Sequence, residues 1–180
     1  MSYATELRAH YTRTWGAPFW TGGPPPRPHH DALAGLELAT FRRSPLLTYA
    51  TLSMSASIEP HLELYLVAPF ASDALVELLA MVSLFHRADH ALSLGHTVDI
   101  GRPWLPGSPS TCLLVSLPYL DGRAIETCTL STGASVRCLW LVPITAAERA
   151  FKREHGTDAL EKRLEAAQVA FADPERPSVI

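Results

Sequence analysis

The sequence is short of lysine, of pairable cysteine and of long apolar runs, and each shortage removes a class of protein. Only Lys152 and Lys162 are lysines, and the basic pairs Arg42-Arg43 and Lys152-Arg153 stand alone. Phosphate backbones are gripped by stripes of positive charge. A chain with 15 Lys+Arg, 18 Asp+Glu and a formal charge of −3 is therefore not expected to bind nucleic acid. Cys112, Cys128 and Cys138 are odd in number and form no C-x-x-C. Secreted disulfide frameworks use even counts, so reduced, buried thiols are expected. The longest apolar stretches, such as Leu139 to Ile144, fall far short of the ~20 residues that cross a bilayer. Met1 to Trp20 carries Glu6, Arg8, His10 and Arg13 where a signal peptide has an apolar core. A cytoplasmic protein with no membrane partner is expected.

Catalytic signatures are also missing. No P-loop or G-x-G-x-x-G occurs, and Gly107-Ser108-Pro109-Ser110 and Gly133-Ala134-Ser135 lack the second glycine of a nucleophile elbow. The cysteines fall in strand-like segments, where inert buried thiols are the ordinary case. Carboxylates such as Glu37, Glu63, Asp99 and Asp121 are dispersed, so no acid/base pair stands out. Neither a catalytic residue nor a cofactor is assigned, and the chain is read as no enzyme.

What is present is a core. With 180 residues, 47% of them hydrophobic and 18% charged, the chain suits one domain that buries about 70% of its unfolded surface. Residues 3–15 form a mildly amphipathic helix ending at Gly16. The run Gly22-Gly23-Pro24-Pro25-Pro26-Arg27-Pro28 follows; proline fixes φ and removes amide donors, so an extended linker or a ligand for an aromatic groove is expected there. Three strands are then predicted, Leu33 to Phe41, Leu46 to Ser53 and Leu62 to Val67, the last with Leu62, Leu64 and Leu66 alternating onto one face. The link Ser55 to Pro60 makes a hairpin of the second and third. Leu75, Leu78, Val82 and Phe85 mark a helix from Ala74 to about Leu92, closed by Gly95. After a Gly/Pro/Ser-rich loop at 101–110, strands are predicted at Cys112 to Leu117, Ile125 to Leu130 and Val136 to Val142, the last two joined by Ser131-Thr132-Gly133-Ala134. Thr145-Ala146-Ala147-Glu148 has the spacing of a capping box, and Thr157 caps a final helix to about Gln168. Strand pairs with short links predict an α+β fold whose sheet is mixed and largely antiparallel, flanked by helices. An amino-terminal helix and proline-rich linker (1–32) precede the domain (33–180).

Two polar constellations remain. His86 and His90 are four apart on the central helix, as zinc ligands can be, with His96 nearby. Arg87, though, stands where a zincin has Glu, and the pair is placed on the solvated edge of the helix. The segment from Leu94 to Trp104 combines flexible glycines with His96, Asp99, Arg102 and Trp104. Arginine and tryptophan are favoured anchors, and loops carry function on rigid scaffolds, so these four are the candidate protein-binding residues. The alternative is Trp104 folded back as a lid on the core, with His96 bonding a strand backbone.

Read in order, several segments resemble the suppressor-of-fused domain family. They are Thr48-Tyr49-Ala50-Thr51-Leu52-Ser53-Met54-Ser55, Gly95-His96-Thr97-Val98, Leu113-Leu114-Val115-Ser116-Leu117-Pro118, Leu139-Trp140-Leu141-Val142-Pro143-Ile144 running into Thr145-Ala146-Ala147-Glu148, and His155-Gly156-Thr157-Asp158-Ala159-Leu160. Asp173-Pro174 and Arg176-Pro177-Ser178-Val179 close the series. The resemblance covers about residue 33 to the end. It implies an α+β domain without catalytic activity or cofactor that binds protein. The animal founder clamps a short peptide as an added strand, using a second domain. Single-domain bacterial members are often encoded beside polymorphic toxins, which implies an immunity protein whose partner is a toxin domain. The other readings are a general peptide-binding module acting by strand addition and, lastly, a metal hydrolase built on His86, His90 and His96.

Overall fold

The computed structural model describes residues 1–24, 30–88 and 90–180. The proline run therefore lies mostly outside the described residues, as does His29. Along the chain come α1 (Tyr3–Trp15), β1 (Trp20–Gly22), a 3-10 turn (His30–Leu33), β2 (Leu38–Arg43), β3 (Leu46–Thr51) and β4 (Leu62–Ala68). Then follow α2 (Asp73–Arg87), β5 (Thr97–Asp99), β6 (Ser110–Ser116), α3 (Arg123–Glu126), β7 (Thr127–Thr129), β8 (Ser135–Thr145), α4 (Ala146–His155) and α5 (Thr157–Ala166).

The strands form one sheet in the order β1-β2-β3-β4-β8-β6-β5, with β7 beside the start of β8. All pairs are antiparallel except β4 with β8, which is parallel. The mixed, largely antiparallel α+β architecture is thus as the sequence predicts.

Both faces of the sheet are covered. Leu62, Leu64 and Leu66 face α2 and the segment around Leu92 to Leu105. Tyr65 and Val67 face the opposite layer, where α1, α5 and the carboxyl-terminal tail pack. A strand buried on both sides needs no polar alternation, and every residue of β4 is buried. Leu7, Tyr11 and Trp15 of α1 belong to this second core, with Trp15 against Phe41 and Tyr65. Asp121 fastens the layer: it accepts from Trp15 Nε1 (2.8 Å) and the Tyr65 hydroxyl (2.8 Å) and pairs with Arg43 (2.7 Å).

Several boundaries differ from the prediction for physical reasons. The first predicted strand starts at Leu38, because Leu33 closes the 3-10 turn. Helix α2 stops at Arg87, well before Leu92. There the Arg87 guanidinium donates to the carbonyls of Ser53, Met54, Ala32 and Ala34, which fixes the chain across β3's end and leaves Leu92 to enter the core from a loop. The predicted strand Ile125 to Leu130 is a helical turn followed by the three-residue β7; Gly122 at φ 74° turns the chain, and Ile125 is buried under α1 with its carbonyl on His10 Nε2. Strand β8 runs past Val142 to Thr145. Pro143 faces Leu113 in β6, and the direct neighbours Leu114↔Val142 and Cys112↔Ile144 carry the ladder, so the missing N–H breaks nothing there. The capping box at Thr145 and Glu148 forms as predicted, whereas α5 is capped by Gly156 with no side-chain bond, and Thr157 is already helical.

Candidate functional site

The four candidate residues part company. His96, Asp99 and Arg102 are exposed along and just beyond β5, the last strand of the sheet. Gly95 (φ 81°) and Gly101 (φ 65°) bracket that strand in left-handed conformations that other residues rarely adopt. They let three residues run straight between two sharp bends. Trp104 goes elsewhere: its ring is 3% exposed in the α2-side core, over which it folds as a lid. The His96 side chain meets Ser93 Oγ at 3.1 Å, and its carbonyl accepts from Val115 N–H. Asp99 accepts from Gly101 N–H with one oxygen and pairs at 2.8 Å with Arg149 of α4 through the other.

The register of β5 decides what the edge offers. His96 bonds Val115 and Ile100 bonds Thr111, and β5 pairs Val98 with Leu113. Hydrogen-bonded pairs alternate with non-bonded ones along an antiparallel ladder. Thr97 and Asp99 occupy the non-bonded positions, so their N–H and C=O groups point away from β6, off the sheet. Val98 is buried toward Trp104, which makes the strand a stiff ledge. No proline lies within β5, and its one charge, on Asp99, is engaged by Arg149. Edge strands are ordinarily blunted by charge, proline or a covering element. The opposite edge, β1, presents Phe19 and Trp20 beside Arg42, which lies over the Phe19 ring.

The histidines do not assemble. His86 is buried, not at a solvated edge: it is 3% exposed, and its Nδ1 accepts from Leu92 N–H. Burial, with Arg87 adding to it, holds its pKa below the ordinary imidazole value, so it stays neutral as an acceptor. His90 stacks on Phe85 at the surface. Among the described residues no group of three His, Cys, Asp or Glu side chains could hold a metal ion. The cysteines are free and buried as expected, and burial pushes the Cys138 thiol far above its ordinary value. No described helix is long and apolar enough to cross a membrane.

Sequence reasoning found the segment but not the strand. Three residues hold no readable period, and only the bracketing glycines signalled it. Nothing in the sequence pointed to Arg149, which reaches Asp99 from 50 positions away.

A mixed sheet closed by helices on both faces, with a short bracketed strand at one edge, defines a particular class of α+β domain. The family model described as Suppressor of fused protein (SUFU) matches residues 29–177, and the chain belongs to that family. A suppressor-of-fused homologue from Neisseria gonorrhoeae FA 1090 shares 25% identity at a TM-score of 0.86, covering 99% of this chain and 97% of its own. The Sufu–Fu complex structure superposes at 0.74 with 11% identity, covering 99% and 92%. Drosophila Suppressor of Fused superposes at 0.70 with 12% identity; the match covers 99% of this chain and 50% of that one. At those identities the last two show the fold alone. Comparison with curated protein sequences finds no match.

Proposed function

We propose that this chain is a non-catalytic domain that captures a segment of another protein by adding it as a strand to the edge of β5. The observation that carries this reading is the outward set of backbone groups on Thr97 and Asp99, on a rigid ledge with neither proline nor a free charge to turn a strand away. Strand addition draws affinity from main-chain hydrogen bonds and selectivity from side chains on either face. In this reading His96, Asp99 and Arg102 touch the incoming strand, and Trp104, in the same core cluster as Val98, backs the ledge. A solved neighbour of the same fold is a complex of Sufu with Fu, which is compatible with a protein-binding role. The finer reading is that the partner is a toxin domain and this chain its immunity protein, as the resemblance to single-domain bacterial members implies.

Affinity capture from the native host tests the edge with two substitutions. Thr97→Pro removes an outward N–H without touching the β6 ladder, while Thr97→Val keeps it. Thr97→Pro is expected to weaken capture about tenfold, roughly 1.4 kcal/mol, and Thr97→Val to retain it. Equal capture by the proline variant and the wild type sinks the edge. The toxin reading is tested apart from it: the captured partner, expressed alone, should arrest growth, and co-expression of this chain should restore it. A harmless partner overturns immunity and leaves strand addition standing.

A further inference from the structure

A second surface lies on the α5 side of the sheet and owes nothing to the β5 edge. A groove of about 570 Å³ runs between α5 and the turn after β6. Its floor is apolar, formed by Leu114, Trp140 and Val142, with Phe171 packed edge-on against Trp140. Tyr119 and Leu120 stand on one bank and are 60% and 51% exposed. Large apolar side chains half in water beside an apolar floor leave apolar surface that a partner can still cover.

The other bank is acidic. Asp158, Glu161 and Glu165 line it from α5, against the single ammonium of Lys162. Glu161 is already engaged, accepting from Ser116 Oγ (2.6 Å) and the Tyr119 hydroxyl (3.1 Å). Asp158 and Glu165 are exposed. All three carboxylates act on the Tyr119 hydroxyl, whose pKa is raised by burial first and then by Glu161, Asp158 and Glu165, so their fields overlap at the mouth of the groove. Unlike charges complement one another across an interface, while like charges suppress the wrong partner. The same negative rim disfavours an anionic membrane surface.

We infer that this groove docks a cationic amphipathic segment of a protein partner, a large apolar side chain on the Trp140 floor and flanking lysines or arginines against the α5 carboxylates.

Fluorescence anisotropy tests it with a short labelled peptide in which Trp and Leu stand between lysines. One control replaces Trp and Leu by Ser; another replaces the lysines by Glu. Two variants alter exposed side chains and leave the core alone: Glu165→Lys and Leu120→Asp. The parent peptide is expected to bind saturably, with Kd raised about tenfold or more by either variant and with both control peptides much weaker. Thr97→Pro should leave this binding unchanged, so a failed edge and a failed groove are told apart. The inference is overturned by no saturable binding, by a Ser peptide that binds as tightly as the parent, by a Glu peptide that binds comparably, or by variants with wild-type affinity.

Discussion

Glu148 shows how one residue can hold two distant pieces of chain. Its side chain is fully buried and closes the capping box of α4 by accepting from Thr145 N–H. The same carboxylate accepts two bonds from the Arg176 guanidinium (2.8 and 2.7 Å) and one from Val179 N–H, so it also clasps the tail. Arg176 gives its remaining reach to the Pro143 and Pro177 carbonyls. Burial alone would raise the Glu148 pKa, but Arg176 and the two amides outweigh it, and the net shift is downward. Removing one member of a buried pair strands the other without its counter-charge. Arg176→Ala is therefore expected to cost about 3–5 kcal/mol in urea unfolding. A lowered carboxyl pKa contributes stability above its unfolded value near 4.5, lost as pH falls through the folded value. The acid-side loss of stability should accordingly shrink in Arg176→Ala, and a cost of that substitution within the roughly 0–1 kcal/mol of surface pairs would make the clasp ornamental.

At the scale of elements, legibility followed length. The seven-residue β4 displayed Leu62, Leu64 and Leu66 plainly, and Thr145 with Glu148 announced α4 by spacing alone. The three-residue β1 and β5 offered no period, so one edge of the sheet and the candidate site on the other were read as loop. Tertiary burial also overruled local pattern. Polar neighbours made His86 look solvated and Trp104 look available, yet His86 is enclosed where the chain just after α2 brings Leu92 N–H onto its ring, and Trp104 folds back into the α2-side core, the alternative reading of that residue. Helix α1 is a further case. Its pattern gave a weak apolar face, but the fold inserts Leu7, Tyr11 and Trp15 into the second core. Leu7→Ala should thus behave as a core deletion, lowering stability by about 2–5 kcal/mol. The check is urea unfolding, in which the midpoint drops while the denaturant slope is kept. A change in slope without a drop in stability would mean that α1 unfolds separately from the sheet.

Across the whole molecule, the two layers are tied through Glu63, a carboxylate in the middle of the sheet. It lies on β4, is fully buried, and accepts from Met54 and Ser55 N–H and from the Tyr3 hydroxyl of α1. Desolvation dominates these bonds and raises its pKa above the ordinary 4.5. Between that value and the folded one, the folded chain keeps a proton that the unfolded chain has released, so this group's contribution falls as pH rises. His10 and His86 act in the opposite sense: burial lowers both below 6.5, and their contribution is lost as pH falls from 6.5 through their folded values. The pH profile of the wild type therefore mixes opposing slopes. A difference measurement separates them. Glu63→Gln cannot ionise, and its amide leaves a backbone N–H without an acceptor, so it should be less stable at pH 4.5, by roughly 1–3 kcal/mol. The gap between wild type and Glu63→Gln should then narrow as pH rises, because only the wild type must either bury a charge or hold its proton against the gradient. Chemical unfolding of both proteins across the acid-to-neutral range reads that gap directly. A gap independent of pH would mean that Glu63 titrates alike in the folded and unfolded chain, and a gap that widens as pH rises would mean that Tyr3 and the two amides outweigh its burial and hold it ionised.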